Sequence, residues 1–64
     1  MLKGTVKTFE FSKGWGFIED EDGYDYFFNV ANVRKGQALK QGTRVKFDVI
    51  ETNKGSEAEN ISIY

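Results

Sequence analysis

Lys13-Gly14-Trp15-Gly16-Phe17-Ile18-Glu19 is the stretch on which the fold turns. Read as a strand, its side chains alternate, so Trp15, Phe17 and Glu19 share one face and Gly16 and Ile18 the other. Two large aromatic rings then stand in line. Gly14 and Gly16 remove side-chain bulk beside them, so a flat base could lie on each ring. Lys13 is adjacent, placed to meet a phosphate. Downstream, Asp25-Tyr26-Phe27-Phe28-Asn29-Val30 alternates in the same way. Asp25, Phe27 and Asn29 fall on one face, and Tyr26, Phe28 and Val30 on the other. If the two strands pair, Phe27 joins Trp15 and Phe17 in one patch.

Outward from this pair the chain keeps the same habit. Glycine turns recur at Lys13-Gly14, Asp22-Gly23, Lys35-Gly36, Gln41-Gly42 and Lys54-Gly55. Between them lie runs rich in β-branched and aromatic residues, at 2–9, 15–19, 25–30, 44–52 and 57–63. In the first, Leu2, Gly4 and Val6 oppose Lys3, Thr5 and Lys7. In the fourth, Val45, Phe47 and Val49 alternate with Arg44, Lys46 and Asp48. The less regular segment 31–41 has room for one short helical turn, and no other window has helical periodicity. An all-β chain of five short strands is expected to close, or nearly close, into a barrel, because closure removes exposed edges.

At 64 residues the chain is expected to be a single domain over 1–64 with a thin core. It has no Cys and no His. Disulfides, thiolate and imidazole metal ligands and the usual general base are thereby excluded, so no cofactor and no metal are expected. The absence of Cys fits a reducing, cytoplasmic compartment. Met1-Leu2-Lys3-Gly4 begins no apolar run of signal-peptide type, and no stretch approaches the length of a membrane span. Carboxylates without a pocket are not a catalytic pair, and an enzyme is not expected.

The formal net charge is −1, so bulk electrostatics alone would bind a polyanion poorly. One Trp, three Tyr and six Phe are more rings than so small a core needs. Strand aromatics are mostly core. Here, however, Val6, Ile18, Tyr26, Phe28, Val45, Phe47 and Val49 already fill the interior, which leaves Trp15, Phe17 and Phe27 for the surface. Stacking a base on such a ring is worth roughly 1–3 kcal/mol and tolerates any sequence. Lys3, Lys7, Lys13 and Lys54 are either phosphate contacts or solvated surface. Most acids gather in Glu19-Asp20-Glu21-Asp22 and Asp25, a solvated loop whose segregation could hide a basic groove in a neutral total.

Segment 13–18 fits most of the RNP1 pattern, with Asp20 where its final aromatic would stand. The chain lacks the helices of an RRM. As a whole it resembles the bacterial cold-shock proteins. The matching parts are Met1-Leu2-Lys3-Gly4-Thr5-Val6-Lys7, the 13–18 segment, the RNP2-like 25–30 segment, Leu39 to Phe47, Asn53-Lys54-Gly55 and Ala58-Glu59-Asn60-Ile61. The resemblance implies a five-stranded antiparallel Greek-key barrel of the OB-fold type. It also implies binding of single-stranded RNA or DNA, and a role as RNA chaperone or antiterminator. By the resemblance the nucleic-acid contacts fall on Lys7, Lys13, Trp15, Phe17, Phe27 and Lys54; Phe9 is a further candidate contact, and Asn29 is placed to hydrogen-bond a base edge. The chain departs from the family in five places. Thr8 replaces a Trp, and Asn29-Val30 replaces His-Phe. A loop Phe before Leu39 is missing, and Phe11 is an extra ring. Tyr26 and Phe28 stand where the family has Val, so the core repacks around larger rings. An alternative remains in which the rings, with Phe11, bind a protein partner or a second copy of the chain.

Overall fold

Five strands form in a computed structural model that describes all 64 residues: β1 (Leu2–Glu10), β2 (Trp15–Asp20), β3 (Asp25–Asn29), β4 (Arg44–Thr52) and β5 (Gly55–Ile63). They close into a barrel in the order β1-β2-β3-β5-β4. Four of the neighbouring pairs are antiparallel, and β3 meets β5 in parallel at Phe27 and Glu57. The barrel is therefore the expected one, with a single parallel seam. A parallel bridge from Val33 to Ile61 extends that seam. The helical turn expected in 31–41 is a 3-10 turn at Val30–Asn32, and Val30 leaves the strand to begin it.

The core is Val6, Ile18, Phe28, Val45, Phe47, Ala58 and Ile61, all essentially buried. Tyr26 and Val49, expected inside, are partly buried against it together with Phe9, Val33 and Leu39. Fully burying one such side chain is worth about 1.5–3 kcal/mol. With so few of them, each carries a large share. Leu2 shares the inward side of β1 but lies at the rim and is exposed.

Two irregularities interrupt simple alternation. In β1, Val6 faces Ile18 but Thr8 faces Phe17, so Lys7 is an extra residue on that strand. From there the faces exchange, and Phe9 comes opposite inward-facing Gly16. In β5 the register slips between the Lys46–Ser62 and Asp48–Glu59 pairs. Asn60 takes up that slip with φ 54°, and its Nδ2 donates to Asp48 Oδ2 at 3.1 Å. Ile61 and Ser62 are consequently both buried, while Ile63 faces out.

Asp20 holds the β2–β3 turn. Its Oδ1 accepts from the Asp22 and Tyr24 N–H groups, each at 2.9 Å, and its Oδ2 accepts from the Tyr26 hydroxyl at 3.1 Å. Burial, the largest single influence, pushes the Asp20 carboxyl up, but these hydrogen bonds together outweigh it and hold the group below 3.8. Burial and the same bond raise the Tyr26 phenol above 10.0. A carboxyl with a lowered folded-state pKa contributes stability above its unfolded value and loses it as pH falls through the folded one. Asp20→Asn is therefore expected to be less stable than the parent above pH 3.8, and the gap closes as the pH falls below that value. Thermal melts of the two proteins across acid pH measure this. A gap that persisted unchanged into strong acid would assign the turn's stability to something other than the carboxylate.

Candidate nucleic-acid interface

β2 and β3 pair in the register that the alternating sequence implies: Trp15 with Asn29, Gly16 with Phe28, Phe17 with Phe27, and Glu19 with Asp25. Ile18 and Phe28 are buried, so Trp15, Phe17 and Phe27 emerge together on the outer face. They form one contiguous cluster. Trp15 and Phe27 lie nearly parallel with centroids 6.0 Å apart, and Phe17 stands edge-on to both, at 6.0 Å from Trp15 and 5.8 Å from Phe27. The rings are half-buried against one another, which holds each in one orientation while leaving an outer surface open.

Two glycines make this presentation possible. Gly14, at φ +79°, turns the chain into β2, and its carbonyl accepts the Val30 N–H at 2.8 Å. Gly16 lies where a Cβ would run into the Thr8 carbonyl and stand 2.9 Å from the Phe28 ring. Its missing side chain lets β1, β2 and the core close up behind Trp15 and Phe17.

The cations are distributed more widely than the rings. Lys13 is exposed in the β1–β2 turn, at the Trp15 end of the face. Lys54 is exposed in the β4–β5 turn. Because β5 runs parallel to β3 from there, Lys54 sits at the opposite, Asp25 end. Neither forms a salt bridge. Lys7 does: its Nζ lies 3.1 Å from Asp25 Oδ2. The hydrogen bond to Asp25, then the charge of Asp25, hold the Lys7 ammonium above 10.5. Glu19 and Asp25 are a like-charged pair across two strands, and Lys7 answers both. Such an exposed pair is a weak tether that another anion can displace. Lys3 is elsewhere, with its Nζ 4.9 Å from the Tyr64 ring centre.

Two expectations are corrected here, the segregation of the acids from the rings and the place of Phe11 in the ring patch. The acids are not segregated from the rings. Glu10 is paired with Trp15, Glu19 and Asp25 border Phe17 and Phe27, and Glu57 pairs with Phe27, so no basic groove underlies the patch. Phe9 does not join the cluster, because the β1 bulge turns it inward to stack on Phe28 at 5.6 Å. Phe11 meets Phe9 edge-on at 6.1 Å instead of joining the other three rings. Asn29 stands on the outer face beside Trp15, but its Oδ1 accepts the Ala31 N–H and caps the 3-10 turn. Only its amide nitrogen remains for a base edge. The inward turn of Phe9 had a signal: the apolar spacing Val6 to Phe9 is three, which unbroken alternation does not produce.

The family model of the 'Cold-shock' DNA-binding domain matches residues 2–64. The major cold shock protein of Streptococcus pyogenes is 42% identical over 64 residues, covering 97% of this chain and 96% of that protein. Cold shock-like protein CspC of Bacillus cereus is 37% identical over 62 residues, covering 94% of this chain and 95% of that protein. Cold shock protein CspA of Staphylococcus saprophyticus is 41% identical over 63 residues, covering 95% and 96%. Among solved structures, drosophila Unr CSD456 superposes with a TM-score of 0.82 at 23% identity. That match covers 98% of this chain and 26% of the longer one, and it speaks for the fold.

Proposed function

The chain belongs to the cold-shock domain family, and on that premise we propose that it binds single-stranded RNA or DNA, with unpaired bases on Trp15, Phe17 and Phe27. The family is one of nucleic-acid-binding, non-enzymatic proteins. The observation that carries the single-strand reading is the contiguity of the three rings within 6.0 Å of one another on one outer face. A base inside a duplex has both faces occupied, so only an unpaired strand can use such a surface. Lys13 and Lys54 meet the backbone at the two ends of the face. Lys7 exchanges Asp25 for a phosphate, and the Asn29 amide donates to a base edge. With few phosphate contacts and acids around the rings, stacking supplies the larger part of the affinity.

Opening of RNA structure, as a chaperone or antiterminator in the cytoplasm, belongs to the same proposal. No helix is long and apolar enough to cross a membrane. A protein that binds only the open strand lowers the melting temperature of a hairpin by mass action. Melting a fluorescently labelled RNA hairpin, and its DNA counterpart, at rising protein concentration tests this. A falling midpoint is expected, and the larger fall identifies the preferred strand. An unchanged or rising midpoint for both would remove the single-strand preference.

A further inference from the structure

Every Asp and Glu of the chain lies in 10–25 or 48–59, so 26–47 carries Arg34, Lys35, Lys40, Arg44 and Lys46 with no acid among them. Strand β4 puts two of these cations, Arg44 and Lys46, on its outer face, because the alternating Val45 and Phe47 are buried. Across the β1–β4 ladder Lys46 stands directly opposite Lys3, and Arg44 opposite Thr5. Lys3, Arg44 and Lys46 are all exposed, and none forms a salt bridge. Like charges set directly opposite one another weaken a sheet. Where Glu19 opposes Asp25, the barrel answers the pair with Lys7. Nothing in the chain answers Lys3 and Lys46. Asp48, the next outward residue of β4, accepts from Asn60 Nδ2 and lies 4.0 Å from the chain's amino group. The Tyr64 ring gathers the cations further, with Lys3 Nζ 4.9 Å and Arg44 Cζ 5.7 Å from its centre. This face is remote from the ring cluster. In the barrel order, β1 on one side and β5 on the other separate β4 from β2 and β3, so its outer surface points away from theirs.

We propose that the outer β1–β4 face is a second nucleic-acid contact, where Lys3, Arg44 and Lys46 hold backbone phosphates of a segment other than the one on the rings. The inference goes beyond the single-strand reading, since it uses other residues on the far side of the barrel. A row of unanswered cations matches a charge repeated along a backbone, and each phosphate it neutralises releases counterions. Such a contact reads no bases and takes paired and unpaired backbone alike. A ligand site indifferent to two states shifts no equilibrium between them, so hairpin melting stays with the rings. A chain already held by its rings carries this face among further backbone at high effective concentration, where a weak contact suffices. One chain thereby holds two segments on opposite sides of the barrel, one by its bases and one by its phosphates.

The probe is a labelled DNA duplex, whose bases are closed to the rings, followed by fluorescence anisotropy at low salt. Three proteins are compared: the parent, Lys3→Gln with Arg44→Gln and Lys46→Gln, and Phe17→Ala with Phe27→Ala. The parent and the ring variant are expected to bind the duplex with the same weak affinity, and with a log–log salt slope of about −2.7 if three phosphates are held. The neutralised variant is expected to lose most of that affinity, its slope falling by about 0.9 per contact removed, while oligothymidine still quenches its Trp15. Lys46→Glu alone sets opposite charges across the ladder from Lys3, so it is expected to melt at a higher temperature than the parent while binding the duplex more weakly. A melting temperature unchanged or lowered in that variant would show that the chain itself answers the lysine pair, and would overturn the premise. Duplex affinity equal in the parent and the neutralised variant, absent from both, or lost in the ring variant would overturn the second face and leave the rings standing. Vesicles of anionic phospholipid bound by the parent and lost by the neutralised variant, with the duplex unaffected, would assign the face to a membrane surface and overturn it too. Duplex binding as expected, with no quenching of the parent by oligothymidine, would overturn the rings and leave this face standing.

Discussion

Replacing Phe17 and Phe27 together with Ala is expected to abolish most binding of an unpaired oligonucleotide. Each ring offers one stacking surface, worth roughly 1–3 kcal/mol per base. The two are direct cross-strand partners with centroids 5.8 Å apart, and Trp15 packs on both. Their removal therefore also frees the Trp15 indole to reorient, and the two losses couple instead of simply adding. Each single variant is expected to bind about 5- to 150-fold more weakly, and the double variant more weakly still. Isothermal titration with a short oligothymidine measures this, beside a circular-dichroism melt to show that the barrel persists. Retained affinity in a folded double variant would place the bases elsewhere.

The largest effect on stability is expected from Phe28→Ala. Phe28 is fully buried and is among the largest of seven core side chains. Its ring packs on Phe9 at 5.6 Å and fills the space that Gly16 leaves open. Truncating such a ring costs about 3–5 kcal/mol, from lost transfer energy and the cavity left behind. Small domains have stabilities near the low end of ~5–15 kcal/mol, so the variant would sit close to its unfolding threshold. Denaturant titration followed by circular dichroism gives the value. A loss under about 1 kcal/mol would mean that neighbouring side chains collapse into the site.

The two predictions draw on the two faces of the β2–β3 pair, and the sequence made that division legible. Alternation in 15–19 and 25–29 is unbroken, so the outward rings and the inward Ile18 and Phe28 follow from the side-chain period alone. Phe27 joined the cluster because β2 and β3 pair across a short turn, and local pairing leaves little choice of register. What alternation could not carry lies beyond the bulges. At Lys7 one inserted residue exchanges the faces of β1, which moves Phe9 from the ring surface to the core edge. At Asn60 the same device buries Ile61 and Ser62 in succession. The parallel β3–β5 seam joins segments distant in sequence, where strand patterns carry no record of partner or direction. Charge was misleading for a related reason. Glu19 and Asp25 flank a loop in sequence, but strand pairing sets them beside the rings and draws Lys7 to them.

Trp15 is the only tryptophan, and it lies within the ring cluster, so its fluorescence reports on that surface directly. Titration with single-stranded oligothymidine is expected to quench it saturably, and more strongly at low salt, while a duplex of the same length leaves it nearly unchanged. Emission unaltered by the single strand, or quenched equally by the duplex, would contradict the reading of Trp15, Phe17 and Phe27 as a platform for unpaired bases.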